Sequence, residues 1–269
     1  MPQRSLEREY MDDHTPPEEV VDEVYRFLGA IGRWLGGTRA TLRRFEELSR
    51  GWTVGERITV LDVASGGGDL ARALIRWGRV RGFDLQVTAL DISLRALDCA
   101  RRRGPVDDQL RLVCADVHLA PYGDGAFDYV TCALFFHHLT DDEVVRTLRA
   151  FDRLAIRGVV VNDLVRRWRP YAWSWLFTRP FNAVLRNDGP LSVRRAFRRD
   201  ELCALARRSG MAWLSMRTHF GHRMTLAGER PSRGAAGDGA GPVPPGPVVI
   251  TAASRLTSGG QEPTQLSGM

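Results

Sequence analysis

The chain has 269 residues, 43% of them hydrophobic, enough for one sizeable core with additions. Its net charge is +6 and all 38 basic side chains are arginine, so a phosphate loop that needs G-K-[ST] is excluded. Charges throughout "MPQRSLEREYMDDH" exclude a secretory signal, and no apolar run approaches the ~20 residues of a membrane helix, so a soluble, cytoplasmic protein is expected.

In chain order, residues 18–50 carry helical spacing (Val20, Val24, Phe27, Leu28, Leu35, Leu42, Phe45, Leu48) interrupted at Gly36 and Gly37. That pattern predicts two helices and a turn, an N-terminal helical cap over 1–54. Strand and helix signals then alternate. "RITVLDVA" precedes the helix "DLARALIRWG", and "LQVTALDI" precedes "SLRALDCARRR" with Ser93 as cap. "LRLVCADV" and "FDYVTCALFF" are further strands, "TDDEVVRTLRAFDRLA" is a helix capped by Thr140, and "RGVVVNDLV" is a strand. Residues 164–195 interpose an aromatic segment before the helix "AFRRDELCALARRSG". "MAWLSMRTHFGHRMTLAGE" reads as a hairpin around Gly221, with His219 and His222 expected at the surface. The Gly/Pro-rich stretch 229–269 is expected to be disordered, apart from a short strand signal in "VVITAAS".

Such alternation predicts an α/β, Rossmann-like sheet, mostly parallel, with helices on both faces and an antiparallel C-terminal hairpin. Ligands in such folds bind outside the carboxyl ends of the strands. Cys99, Cys114, Cys132 and Cys203 are scattered without C-x-x-C, so free thiols are expected and no metal. The arginines are dispersed, and Arg101–Arg103 at a helix end should face solvent, so nucleic acid is not an expected partner.

"VLDVASGGGDLA", residues 60–71, is a strand, a glycine turn and a helix start, which lets backbone approach a ligand. Gly66, Gly68 and Ala71 satisfy a dinucleotide pattern, and Asp91 suits ribose hydroxyls, but Asp62 would repel a pyrophosphate. A ligand cationic at one end and nucleoside at the other suits all three strand-end acids. S-adenosylmethionine is such a ligand: Asp62 would order the loop or attract the amino group, Asp91 accept from the ribose, and Asp116 accept from the adenine amine.

On "VLDVASGGGDLA", "ALDIS", "CADVHLAPYGDGAFDYVTCALFFHHL" and the terminal hairpin, residues 55–228 resemble the class I S-adenosylmethionine-dependent methyltransferases. That resemblance implies a seven-stranded sheet and adds Ser65, Ile92, Val117 and Ala133 to the cofactor contacts. Ala64 stands where the family's D-x-G-x-G-x-G loop has its first glycine, which narrows the room beside the ligand.

His137 and His138 follow the fourth strand, where an imidazole could take the proton of a phenolic acceptor. Asn162 and Asp163 end the fifth strand and are expected to contact the acceptor. Trp168, Tyr171 and Trp175, with Trp173, Phe177 and Phe181, are expected to cover a hydrophobic acceptor, with Tyr25 on the opposite wall. "IGRWLGGTRATLRRF" and the aromatic insert are similar to bacterial methyltransferases that O-methylate phenolic lipids beside type III polyketide synthases. They are similar more loosely to the ubiquinone/menaquinone C-methyltransferases. A nucleic-acid methyltransferase would carry N/D-P-P-[FYW] where this chain has "FFHHL". The arginine-rich aromatic segment could also touch a membrane that holds a lipid phenol.

Overall fold

The computed structural model describes residues 1, 3–13, 17–104, 106 and 108–231. Five strands run parallel: β1 (Arg57–Val63), β2 (Asp84–Asp91), β3 (Leu110–Cys114), β4 (Phe127–Ala133) and β5 (Ala155–Leu164). They are apolar almost throughout because helices cover both faces of the sheet. The hairpin β6 (Ser215–His219) and β7 (Arg223–Glu229) adds its second strand antiparallel to β5, giving the order β3-β2-β1-β4-β5-β7-β6. This is the expected seven-stranded, mostly parallel architecture.

Nine α-helices lie among the described residues: α1 (Tyr10–Asp13), α2 (Glu18–Trp34), α3 (Gly37–Leu48), α4 (Asp69–Arg81), α5 (Leu94–Arg102), α6 (Asp141–Leu154), α7 (Trp168–Thr178), α8 (Ala183–Arg195) and α9 (Arg199–Arg208). Strand parity decides which residues meet them. Ile58 and Val60 of β1, Val87 and Ala89 of β2 and Val160 of β5 pack with Phe45 of α3 and Leu74 of α4. Leu61, Leu90 and Val161 point the other way, onto Leu148 of α6 and Leu202 of α9. Asp62 and Asp91 therefore share the α4 face, whereas Asp163 shares the α6 face. That assignment sets up both halves of the candidate site.

Local side-chain caps account for three helix starts, those of α5, α6 and α8. Ser93 accepts from the Ala96 amide, and Thr140 and Glu143 form a reciprocal capping box on α6. Gly36, at φ 78°, separates α2 from α3, and the Phe220 ring packs so closely on it that a Cβ there would lie 2.6 Å from a ring carbon. The hairpin turn thus clamps the N-terminal helices.

Four expectations are corrected. β4 ends at Ala133, because Leu134 takes a left-handed φ of 57° and a 3-10 turn, Phe136–His138, follows. β3 ends at Cys114, and Asp116 lies in the next turn, where it accepts from the His118 amide. His219 is buried and its Nε2 meets the Thr225 hydroxyl at 2.9 Å, because β6 turns it inward rather than to the surface. Arg103 is not solvated: its guanidinium donates to Asp69 at 2.6 Å and to the Tyr25 carbonyl at 3.1 Å. The aromatic insert is the helix pair α7 and α8, and the disorder and short strand expected beyond Pro231 lie outside the described residues. Among the described residues no helix is long and apolar enough to cross a membrane.

Candidate functional site

The glycine turn that follows β1 is built for close approach. Ala64, Gly66 and Gly68 all have left-handed φ (53°, 53° and 69°), so the loop folds tightly before α4 begins. Asp91 at the end of β2 stabilises it from the side. One carboxylate oxygen accepts the Gly66 amide and the other the Ser93 amide, each at 2.8 Å. A carboxylate has about four lone-pair positions, so two remain for a ligand's hydroxyls.

Asp62 sits beneath the turn at 1% exposure, and its Oδ2 has no hydrogen-bond partner among the described residues. Burial, and then the charge of Asp91, push its pKa up to about 8. Burial raises Asp91 as well, against the pull of its two amide bonds. Two neighbouring buried carboxylates with elevated pKa values favour a cation between them. Ser65 adds a buried hydroxyl without a partner among the described residues.

Tyr25 of α2 roofs the turn. A Cβ on Gly66 would lie 2.9 Å from its ring, and burial together with the Asp91 charge raises its phenol above the usual range. The Arg103–Asp69 pair pins this roof to the start of α4. Further along the edge, Ile92 is 72% exposed and Val117 is buried. Ala133, at the tip of β4, is half-buried. Ile92, Asp116 and Val117 follow β2 and β3 on one side of β1, and Ala133 ends β4 on the other side.

On the opposite face, the 3-10 turn presents His137 and His138. Nδ1 of His137 meets Asp163 Oδ1 at 2.7 Å, while Asp163 Oδ2 accepts the His137 amide at 2.9 Å. Burial alone would raise Asp163, but His137 and backbone amides outweigh it and hold the carboxyl below its ordinary value. His138 meets Asp12 at 2.9 Å through its own Nδ1. Both Nε2 atoms face Glu9, at 3.7 and 4.0 Å. Burial lifts the Glu9 pKa to about 7. Glu9, His137 and His138 form a donor set that could hold a divalent cation. However, the Arg195 guanidinium lies 3.9 Å from Glu9 and already supplies positive charge there.

Nothing in the sequence singles out Glu9, which reaches the histidines only because Arg4 and Arg195 bond the His137 carbonyl and hold residues 3–13 against the turn. Asn162 and Asp163 are both buried and committed within the fold. Asn162 donates to the Gly37 carbonyl at 2.7 Å and to the Thr41 hydroxyl at 2.8 Å, and Asp163 accepts from His137. Each could support the acceptor site, but neither lines an open cleft. The rings of α7 mostly turn outward: Trp168 is 65% exposed, and Trp173, Trp175 and Phe177 are also exposed. Tyr171 is half-buried and stacks edge-on with Trp168 at 5.9 Å. In place of a cover over the acceptor, α7 forms an aromatic surface.

Residues 60–158 match the family described as a methyltransferase domain. Demethylmenaquinone methyltransferase from Thermotoga maritima is 30% identical over 140 residues, which cover 46% of this chain and 58% of that protein. The chain spans little more than half, or less, of the length of the curated relatives it matches. A putative S-adenosyl-L-methionine-dependent methyltransferase from Methanococcus maripaludis shares the fold at TM-score 0.54 and 16% identity, covering 80% of this chain and 94% of that one. Magnesium protoporphyrin IX methyltransferase from Synechocystis PCC 6803, solved with bound S-adenosylhomocysteine, shares it at TM-score 0.50 and 16% identity, covering 73% of this chain and 84% of that one. Residues 60–158 thus match a methyltransferase domain, and the chain shares the fold of methyltransferases that include one solved with bound S-adenosylhomocysteine.

Proposed function

We propose that the protein transfers a methyl group from S-adenosylmethionine to a hydroxyl of a hydrophobic phenolic small molecule, of the alkylresorcinol or alkylquinol type. The donor supplies an electrophilic methyl on a sulfonium. The residues around the glycine turn fit that donor: Asp91 keeps acceptor capacity for ribose hydroxyls, and Asp62 offers a buried oxygen, unpartnered among the described residues, to an ammonium.

The observation that carries the reading of the acceptor is the Asp163–His137 pair beside the tip of β4. Asp163 fixes the Nδ1 proton, so Nε2 is the nitrogen free to accept the acceptor's proton. Glu9 faces that nitrogen and can receive the proton in turn. The roof formed by Tyr25 and α2 keeps water from the donor.

The exposed aromatic surface of α7, with Arg167, Arg169 and Arg179 on the same segment, supports a peripheral contact with an anionic membrane in which such an acceptor would dissolve. The similarity to demethylmenaquinone methyltransferase favours a second reading, C-methylation of a quinone precursor. Incubation with S-adenosylmethionine and a long-chain resorcinol or quinol, followed by mass spectrometry of the product, tests both. A methyl ether supports the first reading, a ring-methylated product supports the second, and no methylated product from either class counts against both.

A further inference from the structure

Two arginine pairs far apart in the chain, Arg166–Arg167 and Arg198–Arg199, meet beyond the end of β5. There the Val165 amide donates to the His222 carbonyl at 3.2 Å, and the Arg166 amide to that of Phe197 at 3.1 Å. These bonds draw the hairpin and the approach to α9 around the carboxyl end of the strand. Between them lies a cavity of about 310 Å3, lined by Arg166, Arg167, Trp168, Arg198, Arg199 and Thr218. That volume is at the lower end of the range of small-ligand sites, roughly 300–1,000 Å3.

The lining carries more positive charge than the fold uses. Arg166 and Arg198 are committed: both donate to the Met1 carbonyl, and Arg166 also donates to the Ala196 carbonyl and pairs with Glu201. Among the described residues the exposed Arg167 side chain has no hydrogen-bond or ion-pair partner, and Arg199 reaches only the Met216 carbonyl, at 3.4 Å. Asp200 also lines the cavity, so four guanidinium groups meet two carboxylates there, Asp200 and Glu201. A concave surface with excess positive charge draws anions, and guanidinium forks match the oxygens of a phosphate. Trp168 indicates what the phosphate belongs to. It lines the cavity, is 65% exposed, and opens α7, which also exposes Trp173, Trp175 and Phe177. Guanidinium groups beside outward aromatic rings suit the headgroup level of a bilayer, where rings bury their apolar bodies and arginines meet phosphate.

We propose that this cavity binds the phosphate of an anionic phospholipid, with the α7 rings entering the bilayer beside it. The inference rests on the peripheral membrane contact proposed above and gives that contact a site. Arg167 and Arg199 grip the headgroup, while Arg166 and Arg198 hold the wall. The cavity lies at the same edge of the sheet as the glycine turn, but past β5 and β6 instead of β1 and β2. A lipid held there sets that edge against the surface from which a hydrophobic acceptor would come.

Sedimentation of the full chain with phosphatidylglycerol vesicles is the test, beside calorimetric titration with inorganic phosphate in their absence. Arg167→Gln with Arg199→Gln should weaken vesicle binding about tenfold or more, since each arginine at an anionic surface contributes roughly fivefold. Arg76→Gln with Arg146→Gln removes the same charge from exposed positions outside the cavity and should leave binding within about twofold of wild type. Tm should be the same in all three proteins, because the four side chains are exposed. Equal weakening by the two pairs, or none by the cavity pair, overturns the site. Saturable binding of inorganic phosphate that needs Arg167 and Arg199, beside unchanged vesicle binding, assigns the cavity to free phosphate and overturns the lipid. Vesicle binding lost in Trp173→Ser with Trp175→Ser but kept in the cavity pair would uphold the membrane contact and sink the cavity. No vesicle binding by wild type sinks both, and the resorcinol and quinol assay reads methyl transfer separately.

Discussion

Asp163 grips His137 at two points, its Oδ1 on the ring Nδ1 at 2.7 Å and its Oδ2 on the backbone amide at 2.9 Å. The ring can neither flip nor swing without breaking a buried, charge-assisted contact, so Nε2 is aimed for as long as β5 and the 3-10 turn stay packed. His137→Ala should lower kcat by about 10²–10⁴-fold while leaving S-adenosylhomocysteine affinity unchanged. Asp163→Asn should lower kcat less, because the ring survives and only its tautomer is lost. Steady-state kinetics beside calorimetry checks both; an equal loss of affinity in either variant would mean that the pair is structural.

Much of this was legible in the chain. Alternating apolar strands and capped helices marked the sheet, and "VLDVASGGGDLA" placed Asp62 and the glycine turn where the structure has them. What escaped depends on contacts between residues far apart in sequence. Glu9 meets His137 across 128 positions, and Arg223 meets Gly37 across 186, so no local spacing announces either. The α7 rings were misjudged because aromatic excess reports apolar surface and not its direction. Arg103 was misjudged because helix-end cations usually face solvent, and here Asp69 and the Tyr25 carbonyl recruit it.

Asp62 makes a pH prediction. Its folded pKa, about 8, lies above the ordinary value of 3.8, so the folded state holds a proton that the unfolded state has released between those limits. Stability from this group is therefore greatest below pH 4 and is lost as pH rises toward 8. Asp62→Asn should flatten the fall in Tm over that window. A ligand ammonium should favour the ionised form, so S-adenosylhomocysteine binding at pH 7 should release a proton. Calorimetry in two buffers of different ionisation enthalpy measures it, and proton uptake would contradict the assignment.

Ala64 occupies a left-handed conformation, φ 53°, that costs an alanine about 1 kcal/mol or more relative to glycine. Glycine's greater freedom in the unfolded chain offsets about 0.5–1 kcal/mol of that difference. Ala64→Gly should therefore leave stability unchanged or raise it slightly, with ligand affinity kept or improved. Gly66→Ala should do the reverse, since φ 53° is joined there by a 2.9 Å approach to the Tyr25 ring. Thermal melts of the two variants should move in different directions.

The outward rings of α7 predict salt-sensitive association with anionic vesicles. Trp173→Ser with Trp175→Ser should weaken sedimentation with phosphatidylglycerol vesicles severalfold without altering Tm, because both residues are exposed. A lower Tm with unchanged vesicle binding would mean that α7 packs against protein.

The cofactor site is tested most directly by calorimetric titration with S-adenosylhomocysteine of wild type and Asp91→Ala, with NADH as control. Asp91 joins the Gly66 amide to the expected ribose contacts, and each charged hydrogen bond contributes about 1.5–3 kcal/mol. Saturable binding of S-adenosylhomocysteine by wild type, about 100-fold weaker in Asp91→Ala and absent for NADH, is the predicted result. Equal affinity in the two proteins, or a preference for NADH, would contradict it.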